Sequence, residues 1–210
     1  MDDFPFDATQ VIDGPEALRA LYGEPSQRSL VKETDHLHPV YRAFVEAAPF
    51  VVVASIGPNG IDTSPRGDAP GFVHVAHDRR LMLPDRRGNN RVDTLSNIAS
   101  DPRVALLFLI PGVGETLRVT GTARIVVDPT LCERFVVQGK LPRSVLVIDI
   151  ERVFFQCQKA LARSRLWSQE AQPPRDSLPS AGEMLKAFDT AFDAQTYDQG
   201  YPEHMRKTIY

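Results

Sequence analysis

Hydrophobic and polar positions change rhythm along this chain, and the changes mark out its elements. Residues 1–48 read as helical and irregular. In GPEALRALYGEPS, Pro15 stands where a first helical turn tolerates it and Gly23 stands just past the end, so a short helix is expected between them. A second helix is expected over residues 39–48, with Val40, Phe44 and Val45 on one side. From Phe50 short apolar runs alternate with turn residues, which is the all-β pattern. Residues 50–56 and 60–65 flank the Gly57-Pro58-Asn59-Gly60 cluster and read as a hairpin. Residues 72–77 and 80–84 flank Asp78-Arg79 and read as another. Residues 103–110 are almost wholly apolar and belong inside the sheet. Residues 116–127 alternate over a long span in which Gly121 marks a bend or bulge. After a short helix at 129–137, residues 144–157 complete six or seven strands, enough for a small antiparallel Greek-key barrel. Past Trp167 the chain is polar and Pro-rich. A last amphipathic helix is expected over 181–194, with Met184, Leu185, Phe188 and Phe192 on one face. The tail with Tyr197, Tyr201 and Tyr210 reads either as packing on a partner subunit or as a frayed end.

Composition narrows the class. A length of 210 residues suits one domain, with a helical extension at 1–48, a barrel at 50–167 and a linker, helix and tail at 168–210. A net charge of -3 argues against a nucleic-acid partner. The acidic start lacks the apolar core of a signal peptide, and no apolar run approaches the ~20 residues of a membrane span, so a cytoplasmic protein is expected. Cys132 and Cys157 form no C-x-x-C pair and read as two buried thiols. His36 and His38 sit two apart without a carboxylate or cysteine pattern, which is a weak metal signal, and no metal site is expected.

The candidate chemistry concentrates in residues 84–98, PDRRGNNRVDTLSNI. A strand at 80–83 leads in, and Val92, Leu95, Ile98 and Ala99 follow at helical spacing, so a helix is expected to begin near Asn89 or Asn90. Helix N–H groups beside Arg86, Arg87 and Arg91 would suit a phosphate, and Gly88 would let the backbone come close. A solvated arginine-rich turn fits the same residues. The Walker loop, the G-x-G-x-x-G turn, the G-x-S-x-G elbow and H-E-x-x-H are all missing, so hydrolytic or metal catalysis has no carrier.

SPRGD (64–68), LPDRRGNNR (83–91), NIASDPRVALLFLIPG (97–112), ETLRVTGTARI (115–125) and QKALARSRLW (158–167) together resemble the pyridoxamine 5'-phosphate oxidase-like flavoproteins, and within them a branch of FMN-dependent enzymes. The resemblance implies an FMN-binding split β-barrel, a homodimer with cofactor sites at the interface, and an FMN-dependent oxidoreductase acting on an unassigned small-molecule substrate or nicotinamide electron donor. It implies cofactor roles for Arg66 and Asp68, and for two of Arg86, Arg87 and Arg91, with Asn89 or Asn90 on ribityl or phosphate oxygens and the other as a cap. A salt bridge from Arg66 to Asp68 or Asp85, and a turn cap at Asp68, are the competing readings. Arg118 belongs near the dimer interface or faces outward. Arg163, Ser164 and Trp167 would approach FMN from the neighbouring subunit, or Trp167 is an interface anchor. The C-terminal Arg and His region that binds substrate phosphate in true pyridoxamine 5'-phosphate oxidases has no match. A non-catalytic flavin carrier, or a haem or deazaflavin binder on the same barrel, remains the alternative.

Overall fold

Seven strands form, most of them on the apolar runs: β1 (Phe50–Gly57), β2 (Gly60–Gly67), β3 (His74–His77), β4 (Arg80–Asp85), β5 (Arg103–Leu109), β6 (Thr116–Val126) and β7 (Ser144–Gln156). They are seen in a computed structural model that describes residues 7–58 and 60–210. The acidic start at residues 1–6, and Asn59 of the first hairpin turn, lie outside the described residues. Every pairing is antiparallel, and the order is β2-β1-β5-β6-β7-β4-β3. The fold is mainly β with flanking helices, as the pattern predicts.

Contacts divide the chain into two compact units, Met1–Glu33 and Thr34–Tyr210. The first contains α1 (Pro15–Tyr22) and α2 (Gln27–Leu30), neither of which buries a residue. Pro15 opens α1, and Gly23 follows it at φ 71°, a left-handed backbone that glycine adopts without strain. The second unit holds the sheet with α3 (Pro39–Ala47), α4 (Asp93–Ser100), α5 (Pro129–Glu133), α6 (Lys159–Ser164), α7 (Ala181–Phe188) and α8 (Ala194–Thr208). The boundary therefore falls inside the 1–48 stretch, and α3 belongs with the sheet. On α3 the buried pair is Tyr41 and Val45, spaced one turn apart, while Val40 faces out.

The core lies on one face of the sheet, where Val51, Val53, Leu81, Leu83, Phe108, Leu117, Leu146 and Ile148 are fully buried. β5 runs between β1 and β6, the interior position its apolar run requires. Gly121 marks the expected irregularity, because the β6–β7 register shifts between Thr120 and Gly121. A Cβ at Gly121 would fall 2.0 Å from the Asp149 carbonyl oxygen.

β2 and β4 lie near opposite ends of the strand order, yet the residues that follow them meet. Asp68, just past β2, accepts a hydrogen bond of 2.9 Å from Nε of Arg86, just past β4. Arg66 Nη2 also comes within 3.8 Å of Asp85. The sheet thus curls until its two ends form a seam. α4 packs on β1, β6 and β2. There Thr94 donates to Asp62 at 2.7 Å and Asn97 to Ser55 at 3.2 Å.

Three helical expectations change. α5 ends at Glu133 rather than 137. The helix expected over 181–194 ends at Phe188, and Asp193 caps a new one by accepting from the Thr196 N–H, so Phe192 sits between two helices. The expected tail is α8, which continues through Pro202. Cys132 is buried as expected, but Cys157 is exposed just past β7.

Gly121→Ala should destabilise the protein by about 1–3 kcal/mol in urea unfolding, because the new methyl must displace backbone. Gly88→Ala should stay within about 0.5 kcal/mol of the parent, since nothing lies within 4 Å of the added Cβ. Equal stability of both variants would contradict the close β6–β7 approach.

Candidate functional site

β4 delivers Arg86 and the residues after it to the seam. Pro84 and Asp85 still pair with Val145 and Ser144 of β7, and the chain then leaves the sheet as a turn. α4 begins at Asp93, with Val92 at its N-cap, three residues later than the spacing predicts. The reason is local. Asn89 Oδ1 accepts from the Arg91 N–H at 3.0 Å, and Asn90 takes a left-handed backbone with φ 60°, so the segment turns before the helix can start.

Two adjoining cavities share this turn. The smaller, about 170 Å³, is lined by Arg66, Asp85, Asn90, Arg91, Arg143 and their neighbours. The larger, about 390 Å³, is bounded by the end of β2, Phe72, Pro84, Ile209 and Tyr210. Arg66, Arg86, Arg87 and Gly88 line both.

The arginines play unequal parts. Arg86 is committed to the protein, donating to Asp68 and, at 2.6 Å, to the Phe135 carbonyl, rather than facing solvent. The Asp68 side chain is only 4% exposed, and it also accepts from the Ala69 N–H and the Tyr210 hydroxyl. Arg66 donates to Ser64 and the Pro65 carbonyl. Arg91 is turned outward onto Asp93, with its side chain 78% exposed. Arg87 is exposed and, among the described residues, has no ion-pair partner.

Arg143 escapes a reading of the sequence. It precedes Ser144, which lies opposite Asp85 in the β4–β7 pairing, and the register brings it beside the turn. Its Nη1 donates to Asn90 Oδ1 at 3.1 Å. Tyr210 escapes as well, since it reaches Asp68 across 142 positions of sequence. No local pattern marks either residue.

The remaining candidates lie elsewhere in the chain. Arg118 faces out from β6 with its guanidinium 5.1 Å from the Phe154 ring centroid. Arg163 is exposed on α6, Ser164 donates to the Leu161 carbonyl, and Trp167 donates to the Val113 carbonyl at 2.8 Å. None of the four lines either cavity. His36 is engaged with Asp35, and His38 Nδ1 accepts weakly from the Val40 N–H at 3.4 Å.

The family described as Pyridoxamine 5'-phosphate oxidase matches residues 37–157, more than half of the chain. The chain belongs to that family. Its seven-stranded sheet is the family's split barrel. Among solved structures, HupZ of Group A Streptococcus is 16% identical, with 58% of this chain and 94% of that one covered at a TM-score of 0.48. A Lactobacillus delbrueckii protein titled after pyridoxamine 5'-phosphate oxidase is 21% identical over 58% and 95% of the two chains, at 0.45. A Mesorhizobium loti protein described as FAD-binding is 16% identical over 59% and 96%, at 0.39. No curated protein matches the chain closely enough to stand as a relative.

Electrostatics at the family's barrel seam separate the two carboxylates. Burial pushes the Asp85 carboxyl above the ordinary value, and Arg66 and Arg143 only partly offset it. Burial also acts on Asp68, but the bonds from Tyr210, Ala69 and Arg86 outweigh it and hold that carboxyl below the ordinary value. The signs are opposite. Asp68 contributes stability above the unfolded carboxylate value near ~3.9, and loses it as pH falls through its depressed folded value. Asp85 costs stability once pH has risen through its raised folded value. Asp68→Asn should therefore lower unfolding stability at pH 7 by about 1–3 kcal/mol. Asp85→Asn should raise the thermal midpoint at pH 7, and both differences should shrink in acid. A destabilising Asp85→Asn at neutral pH would contradict this assignment.

Proposed function

We propose that the protein is an FMN-dependent oxidoreductase that grips the cofactor's phosphate in the smaller cavity. The observation that carries this reading is a set of guanidinium groups that outnumber the carboxylates beside them. Arg87 has no ion-pair partner among the described residues, Arg143 is bonded to the neutral Asn90, and Arg66 stands 3.8 Å from a carboxylate whose charge burial disfavours. Several guanidinium groups against one carboxylate, Asp85, around a small polar cavity suit a dianionic phosphate, and forked donors fix its pose.

The residues divide the work by their present partners. Arg66, Arg87 and Arg143 would donate to phosphate oxygens. Asn90 steers Arg143, and Asn89 shapes the turn. Arg91 would contribute only by exchanging Asp93 for the ligand. Arg86 and Asp68 hold the seam between the phosphate cavity and the larger one. FMN, when bound, supplies hydride transfer, and the protein's contribution is binding, orientation and electrostatics.

A homodimer completes this reading. Arg118, Arg163, Ser164 and Trp167 line neither cavity within one chain, so the roles implied for them call for a second copy. An apolar patch around Ala54, Ile61 and Ala105, with Ile61 77% exposed, supports such an association. The electron donor would be a nicotinamide or a small-molecule substrate.

Purified protein should bind FMN at least about tenfold more tightly than riboflavin, because charge-assisted contacts of ~1.5–3 kcal/mol each require the phosphate. Arg87→Ala and Arg143→Ala should each weaken FMN roughly thirtyfold in a fluorescence titration, with melting of the ligand-free protein almost unchanged. Equal affinity for riboflavin and FMN would overturn the phosphate site. Flavin binding without turnover of any nicotinamide donor would replace the enzyme with a carrier. Tight FMN binding by a monomer in light scattering would overturn the shared site.

A further inference from the structure

Tyr210 is the one residue of the segment after α8 whose side chain is hydrogen-bonded to the sheet's seam among the described residues. Its hydroxyl donates to Asp68 Oδ1 at 2.7 Å, and the Arg86 guanidinium lies 5.9 Å from its ring centroid. With Ile209 it forms part of the wall of the 390 Å³ cavity. α8, which carries it there, buries no residue. Asp198 ties α8 to Ser180 and Gly182 at the start of α7 rather than to the sheet, so the segment it carries opens at low cost compared with the barrel itself.

The receiving side is built to survive release. When Tyr210 leaves, Asp68 still accepts from Arg86 Nε and from the Ala69 N–H. No buried charge is stranded, so opening avoids the several-kcal penalty that removing an ion-pair partner would bring. Arg86 likewise keeps the Phe135 carbonyl. A wall residue that only filled space would need neither the directed hydroxyl nor a carboxylate already satisfied without it.

We propose that Tyr210 is a clasp on the larger cavity: it latches onto Asp68 to close the wall, and it swings away for a flat aromatic ligand to enter or leave. The inference rests on reading the two cavities as the FMN site, with the phosphate in the smaller one. It adds a residue that controls access to the larger one. Because the clasp stands in the path in both directions, its removal changes the two rates together and the affinity little.

The test compares the parent with Tyr210→Phe, which keeps the ring and loses the hydroxyl, and Tyr210→Ala, which loses both. In stopped-flow fluorescence with FMN, Tyr210→Ala should speed association and dissociation alike by about fivefold or more, the equivalent of one net hydrogen bond, with Tyr210→Phe between it and the parent. A rise in dissociation alone would make Tyr210 an ordinary binding contact and overturn the clasp. A rise in association alone would make it a plug in the ligand's place, and unchanged rates would leave it with no role at the cavity; either result also overturns it. If the parent binds no FMN, the cofactor reading fails by itself, and the clasp is judged in the ligand-free protein by amide hydrogen exchange at residues 66–69 and 85–88. Exchange there about fivefold faster in Tyr210→Ala than in the parent supports the clasp, and unchanged exchange overturns it.

Discussion

The ion pair between Asp68 and Arg86 is the interaction on which the site's geometry depends. A seven-stranded sheet with linear order has two ends, and a barrel forms only when something brings those ends together. Here the residues that follow β2 and β4 do so, with a carboxylate 4% exposed and a guanidinium 17% exposed. Desolvating such a pair is costly, and it persists when every remaining lone pair and proton finds a partner. The Ala69 N–H and the Phe135 carbonyl supply those partners, and the Tyr210 hydroxyl adds a further donor to Asp68. By spending Arg86 on the fold, the chain fixes the turn and leaves the flanking guanidiniums available for other work.

That division of labour explains an apparent conflict of charge. The protein carries a net charge of -3, yet four arginines line the smaller cavity besides Arg86. Local arrangement, not net charge, sets the potential that a small anion meets. Asp85 sits among these arginines as one carboxylate against several cations, and burial raises its pKa against the pull of Arg66 and Arg143. Arg143 is held through Asn90, a neutral acceptor that orients a cation without cancelling it. The proposed phosphate position thus follows from which acids and amides the fold assigns to each arginine.

Much of this architecture is readable from the sequence, and most of the unreadable parts share a cause. The strands are legible because alternation over five or more residues is a local signal, as in β6, and Gly121 is legible because a close backbone approach demands glycine. The arginine turn is legible by composition. Its helix start is not, because Asn89 spends its side chain on a turn to the Arg91 N–H and Asn90 turns left-handed, so neither asparagine caps the helix. Arg143 reaches the site through strand register, and Tyr210 through a helix interrupted in sequence by Gly200 and Pro202. Val40 and Tyr41 exchange places because periodicity alone leaves a short helix free to rotate by one residue. Apart from the Asn89–Asn90 turn, each of these failures concerns a contact made across the chain rather than along it.

In the proposed site, arginines left free of structural pairing hold the FMN phosphate in one protonation state. Phosphorus NMR of FMN added to the protein measures this directly, since a free phosphate monoester titrates with a second pKa near ~6. Held by guanidinium forks, the phosphate should stay dianionic, and its resonance should move little between about pH 5 and 8, well below that pKa as well as above it. A resonance that titrates like free FMN while the flavin remains bound would contradict the account, because the ring would then be held and the phosphate left in solvent.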